Sequence, residues 1–123
     1  MDPLRMTGFP SPAADYIEEQ LTLYEFLIKN PPATFFMRTS GNSMQEAGIQ
    51  SGDILIVDRS VKPADGTIVV INIDGEFIVR RLLFQKGKVV LVSGATDDEP
   101  IEISKDWECL VWGVVTFVIH RTG

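Results

Sequence analysis

Residues 67–93 read TIVVINIDGEFIVRRLLFQKGKVVLVS, and this stretch decides the fold. Three runs rich in β-branched and aromatic residues, 67–73, 76–84 and 88–93, are separated by Asp74-Gly75 and Lys86-Gly87. Such side chains pack well on a pleated surface, so each run is predicted to be a strand. Asp-Gly suits a type I′ turn, whose two central residues both need positive φ. The three runs should therefore form an antiparallel meander closed by two tight hairpins.

Further strands are expected on either side of this meander. Residues 34–39 (TFFMRT), 53–58 (DILIVD) and 111–120 (VWGVVTFVIH) have the same composition, with Ser51-Gly52-Asp53 and Asp65-Gly66 as turns. Thr22-Leu23-Tyr24-Glu25 has the form of a capping box, in which the Thr hydroxyl accepts the Glu25 amide. A short helix should run from Leu23 to about Lys29, turning Leu23, Phe26, Leu27 and Ile28 to the core. Asn30-Pro31-Pro32 should end it, because a residue before proline avoids the α region. Residues 15–21 suit helix and strand equally. Residues 1–14 hold Pro3, Pro10, Pro12 and Gly8, which predicts an extended N-terminal arm. The expected architecture is mostly β, with one short helix: an arm over 1–14 and a single β-domain over 15–123. The long apolar run 111–120 is expected to leave an unpaired edge in a monomer, which argues for a homodimer.

Composition excludes several function classes. With 45% hydrophobic and 23% charged residues among 123, the chain can bury a core, and disorder is not its default state. A net charge of −6 opposes phosphate, so direct tight DNA binding by the chain alone is not expected. Arg80-Arg81 and Lys86–Lys88 are the only candidates for a basic patch and read as solvated strand residues. Cys109, the one cysteine, cannot form an internal disulfide, and with His120 as the one histidine no typical structural zinc site can be built. Cys109 reads as a partly buried residue beside Trp107. No metal or other cofactor is expected. The first residues, MDPLRMTGFPSP, lack the apolar stretch of a signal peptide. Apolar runs such as Ile54–Val57 and Ile68–Ile71 fall far short of the roughly 18 residues a membrane helix needs. The expected location is the cytoplasm, away from any membrane.

The segment with chemical content is Ser40-Gly41-Asn42-Ser43-Met44, between a strand and a glycine-rich turn. A serine in a tight loop can expose its Oγ and present backbone amides to an oxyanion. Alone, such a serine is usually an ordinary turn residue. In context, SGNSM is followed by SGDILIVD and then by a hairpin whose second strand reads GEFIVRRL. Ordered this way, the motifs resemble the UmuD/LexA family of self-cleaving serine peptidases. The residues GFPSPAADYIEEQ at 8–20 are similar to the processed N-terminus of UmuD, and the likeness runs from Gly8 to about Ile119.

The resemblance implies a LexA C-terminal-like β-domain and a Ser/Lys dyad. It places Ser43 at the nucleophile position and Arg80, in GEFIVR, at that of the general-base lysine. A lysine can serve because burial makes its amine neutral; a guanidinium stays protonated and offers no lone pair. Arg80 can therefore hold the Ser43 hydroxyl or a nearby carboxylate, but it cannot take a proton. The family cuts a small residue–Gly bond; the corresponding bond here is Thr7-Gly8, with β-branched Thr at the cut and only six residues before it. These departures liken the chain to naturally short, phage-encoded homologues of the processed form, UmuD′. An engineered exchange of the lysine would give the same sequence.

The implied role is a homodimeric accessory subunit of an error-prone, UmuC-type translesion DNA polymerase in SOS mutagenesis, with the RecA filament as a further partner. The alternative is an active serine peptidase that cleaves itself or a partner. It would need another base, and Lys62 and Lys86 both sit at turns. A LexA-type repressor is disfavoured, because residues 1–20 are too short and proline-rich for a helix-turn-helix.

Overall fold

A computed structural model describes residues 22–94 and 99–123. The meander forms as the turn chemistry requires. Strands β3 (Ile68–Ile73), β4 (Glu76–Gln85) and β5 (Lys88–Val92) pair antiparallel in sequence. The hairpin tips take positive φ at both positions, 53° and 84° at Asp74-Gly75 and 51° and 75° at Lys86-Gly87. Around the meander stand β1 (Thr34–Arg38), β2 (Ile54–Asp58), β6 (Ile101–Ile103) and β7 (Val111–Ile119). All seven belong to one antiparallel sheet in the order β1-β2-β7-β3-β4-β5-β6. The fold is the mostly β, LexA C-terminal-like architecture expected.

One expectation about the C-terminal strand needs correction. β7 is not an edge: it pairs with β2 on one side and β3 on the other. The continuous apolar run VWGVVTFVI is the composition of a central strand covered on both faces. β7 also carries two bulges. Its register slips at Thr116, opposite Ile56 and Val57, and again at Trp112, opposite Val70 and Ile71. A bulge re-aims a side chain, and Trp112 receives Phe35 and Phe77 against its ring at centroid distances of 5.1 and 5.5 Å. The guanidinium of Arg59 lies 4.5 Å from the same ring.

The core lies on both faces of the sheet. Val69, Val70 and Ile71 of β3 are all fully buried, although neighbours along a strand point to opposite sides. Leu55, Val57, Val70, Met44 and Ile49 form one cluster; Val69, Ile71, Leu82, Leu91 and Val114 form the other. The first cluster matters for the site, since Met44 and Ile49 come from the loop that holds Ser43.

The helical parts are smaller and more numerous than expected. Helix α1 (Leu23–Leu27) starts as predicted, with Thr22 Oγ1 accepting from the Glu25 amide at 3.0 Å, but it lasts five residues. So short a helix buries little: Leu23 is 71% exposed, and of the four residues expected to face the core Ile28 alone is buried. Single 3₁₀ turns occupy Pro31–Ala33 and Gln45–Ala47. Helix α2 (Trp107–Leu110) and β6 were not anticipated. Cys109, on α2, is exposed and not partly buried. The expected arm over 1–14, the ambiguous stretch 15–21 and the Thr7-Gly8 bond lie outside the described residues.

Candidate functional site

The site begins where the β1–β2 ladder opens. Thr39 and Asp53 continue the pairing past the strands: the Thr39 amide donates to Asp53 O, and the Gly52 amide donates to Thr39 O, both at 2.9 Å. Residues 40–52 then leave the sheet as one loop. Its base is clipped by Thr39 Oγ1, which donates to Gln50 O at 2.8 Å, and by the buried Asp53 carboxylate, which accepts the Gln50 amide at 2.8 Å. His120 Nδ1 lies 2.7 Å from the other oxygen of Asp53. The Gln50 amide, then the His120 side chain, hold the Asp53 carboxyl below its ordinary pKa, against the upward push of burial.

Within the loop the backbone turns sharply around Ser43. Gly41 and Gly48 have φ of 88° and 89°, conformations that glycine adopts without a steric penalty. The 3₁₀ turn Gln45–Ala47 lies between them, and buried Met44 and Ile49 pin the loop into the core. From the far side, the Gly94 amide donates to Ser43 O at 2.7 Å. A Cβ on Gly94 would come within 3.0 Å of Ala47 N and 3.1 Å of Glu46 N, so a side chain here would force the loop backbone to give way by a few tenths of an ångström.

Arg80 reaches the loop from β4, where it pairs with Val69. Its Nη1 donates to Ser43 Oγ at 3.1 Å and to its own neighbour's carbonyl, Val79 O, at 2.7 Å. The structure thus brings together the two side chains singled out in the sequence. Ser43 and Arg80 share the wall of a cavity of about 230 Å³, with Met37, Met44, Ile49, Leu55, Val70 and Phe77 supplying apolar surface. Neither Lys62 nor Lys86 lines it: Lys62 borders a separate cavity beside Trp107 and Trp112, and Lys86 occupies the β4–β5 turn. Arg80 and Arg81 are not the solvated strand residues expected. Both are half-buried, and Arg81 Nη1 donates to Gly66 O at 2.7 Å.

Two parts of the site went unseen in the sequence. The Gly94 clamp carries no local signal beyond that of an ordinary loop glycine. Asp53 looked like a turn residue, and His120 looked like a lone histidine at the end of a strand.

This serine loop over a seven-stranded antiparallel sheet defines a class, and comparison with known proteins agrees. The Peptidase S24-like family model matches residues 5–116, and the chain belongs to that family, with its UmuD-like and LexA-like members. It is 48% identical over 121 residues to Protein ImpA of Escherichia coli, covering 94% of this chain and 78% of that protein. It is similar also to Protein MucA of Escherichia coli, at 44% over 110 residues, covering 89% of this chain and 75% of the relative. The LexA repressor of Hahella chejuensis is 37% identical over 115 residues, 93% of this chain but 57% of the repressor.

Proposed function

We propose that this chain is a UmuD′-like accessory subunit of an error-prone, UmuC-type DNA polymerase, acting as a homodimer in the cytoplasm during SOS mutagenesis, and that its Ser/Lys self-cleavage site is disabled. One observation carries the second half of this reading. The group 3.1 Å from Ser43 Oγ is a guanidinium, which donates to the hydroxyl and cannot accept its proton. Serine is a poor nucleophile until a base takes that proton. With the dyad disabled, function rests on surfaces, and Thr7-Gly8 becomes a vestige of the family's cleavage site. Membership of the UmuD/LexA group supports the first half, and the net charge of −6 suits a protein partner better than bare DNA.

The retained Ser43 loop, with its buried anchors and clamp, favours a second reading, that of an active peptidase. Complementation of damage-induced mutagenesis, in cells lacking their UmuD-type subunit, separates the two. Wild type and Ser43→Ala are expected to restore mutagenesis equally. A folded Ser43→Ala chain that fails to do so would show the serine in use. Intact mass measurement with the activated RecA filament gives a second check, with no cleavage product expected from the unaltered chain.

A further inference from the structure

We infer that the Ser43–Arg80 cleft is a binding site for the C-terminal carboxylate of a peptide, with the last side chain seated in the apolar pocket. This rests on reading the pair as a disabled dyad. It goes further by giving the cleft an occupant.

The first argument is electrostatic. Arg80 is half-buried, and among the described residues no carboxylate lies within ion-pair distance of its guanidinium. A cation partly withdrawn from water without a counter-charge is unfavourable, and an incoming anion relieves it. Arg81 does not compete for that anion, since it is turned to the Gly66 carbonyl.

The second argument is the donor arrangement. Nη1 of Arg80 is already committed to Ser43 Oγ and Val79 O, which holds the planar guanidinium in place and leaves its other N–H groups to donate. Ser43 Oγ accepts from Arg80, so the hydroxyl hydrogen is left to donate as well. A carboxylate accepts two such bonds at once, and charge-assisted bonds of this kind are the strong ones. A peptidase dyad is built around a scissile carbonyl; with arginine in place of the base, the same position suits a carboxylate that has already been formed.

The third argument chooses between a chain terminus and an acidic side chain. The cavity wall is mixed: Met37, Met44, Ile49, Leu55, Val70 and Phe77 give it an apolar side, and Arg38, Thr39 and Ser40 line the rest. A C-terminal residue offers its carboxylate and an apolar side chain from one Cα. An internal aspartate or glutamate has only its methylenes to fill the same space.

Isothermal titration of the full chain tests this with three probes: acetyl-Ala-Ala-Ala-Leu as the free acid, the same peptide as its C-terminal amide, and acetyl-Ala-Ala-Ala-Glu amide. The free acid is expected to bind at least about tenfold more tightly than either amide, the scale of one charge-assisted hydrogen bond. Arg80→Gln, which removes the charge and the fork of donors, should reduce the acid to the level of its amide. Equal binding of the leucyl acid and amide, or no heat from the acid at millimolar concentration, overturns the site. Binding of the glutamyl amide as tight as that of the acid overturns the terminal assignment. The acid–amide comparison uses the unaltered chain, so it decides the matter even if Arg80→Gln fails to fold. Failure to bind with Ser43 still unreactive removes this site and leaves the proposed function standing. Selective binding together with rapid labelling of Ser43 by a fluorophosphonate keeps the site and removes the pseudo-peptidase reading.

Discussion

Arg80 Nη1 donates to Ser43 Oγ across 3.1 Å, and the same nitrogen is held at 2.7 Å by the Val79 carbonyl. The second bond explains why the first is stable. The guanidinium is steered by its own strand, and Ser43 is steered by the Gly94 amide on its carbonyl and by the buried Met44 beside it. The contact joins a side chain held by its own strand to a serine held by its loop's hydrogen bonds, so its chemistry depends on which residue stands at position 80 of β4.

Serine reactivity should follow from that residue. The unaltered chain is expected to resist phosphonylation by a fluorophosphonate probe, in which Ser43 Oγ attacks phosphorus and fluoride leaves. Arg80→Lys restores a group that can lose its proton when desolvated, and base assistance typically contributes on the order of 10²–10⁴ in rate. Labelling of Ser43, followed by intact mass, should therefore rise by at least about 10² in Arg80→Lys and vanish in the double variant with Ser43→Ala. Equal labelling of wild type and Arg80→Lys would show that Arg80 does not control the serine.

The Gly94 clamp makes a prediction about stability. An alanine there sets its Cβ against backbone atoms, 3.0 Å from Ala47 N and 3.2 Å from Met44 C, and backbone yields less readily than a side-chain tip. Overpacking of this kind costs about 1–3 kcal/mol. Urea unfolding of Gly94→Ala should show a lower midpoint with an unchanged slope. A difference below about 0.5 kcal/mol would mean that the β5 exit and the serine loop are not in close contact.

The sequence announced the elements better than their neighbours. Runs of β-branched residues and the Asp74-Gly75 and Lys86-Gly87 turns located six of the strands, because those signals are local. Ile101–Ile103 was missed because three residues show no period, and α2 because it makes a single turn. The position of β7 was misread although a clue was present: an apolar run without alternation belongs between strands, not at an edge. In the site, Ser43 and Arg80 were legible through the family motif. Gly94 and His120 were not, because each acts on a residue far away in sequence and no local pattern encodes that meeting.

The homodimer needs a different basis from the free edge first expected of residues 111–120. Phe36 of β1, Ile56 of β2 and Phe117 of β7 lie side by side on one face, with Ile54 and Ile119 next along it. Phe36 is 65% exposed and Ile119 is also exposed, whereas Ile56 between them is buried and Phe117 is half-buried against Phe26, so the apolar surface offered to solvent centres on Phe36 and Ile119. Exposed apolar surface is where a second copy would dock. Sedimentation at roughly 50 μM should show a dimer, a scale on which micromolar affinity persists. Phe36→Asp should weaken it at least about tenfold without unfolding the chain. A monomeric wild type at that concentration would end the dimer reading.

The last prediction concerns acid. Asp58 is buried at the end of β2, where its carboxylate accepts from Ser60 Oγ at 2.6 Å, the Ser60 amide at 2.8 Å and Asn30 Nδ2 at 3.1 Å. The Ser60 hydroxyl, with Asn30 and the Ser60 amide behind it, holds the carboxyl below its ordinary pKa, although burial pushes it up. Asp53 is depressed as well, by the Gln50 amide and then His120. The sign follows from linkage: with a lower pKa when folded, each group binds its proton more readily in the unfolded chain. Their stabilising contributions are fully present above the unfolded value of about 3.9 and are lost as pH falls through it toward the depressed folded values. Urea midpoints should therefore be flat with respect to these groups near neutrality and fall steeply below about pH 4. Asp58→Asn keeps the shape but turns one acceptor into a donor opposite Ser60 or Asn30. It should be less stable than wild type at pH 7 and lose less on acidification, the residual slope coming from Asp53. An Asp58→Asn chain whose midpoint tracks wild type at every pH would show that the Asn30–Asp58–Ser60 contacts contribute nothing to stability.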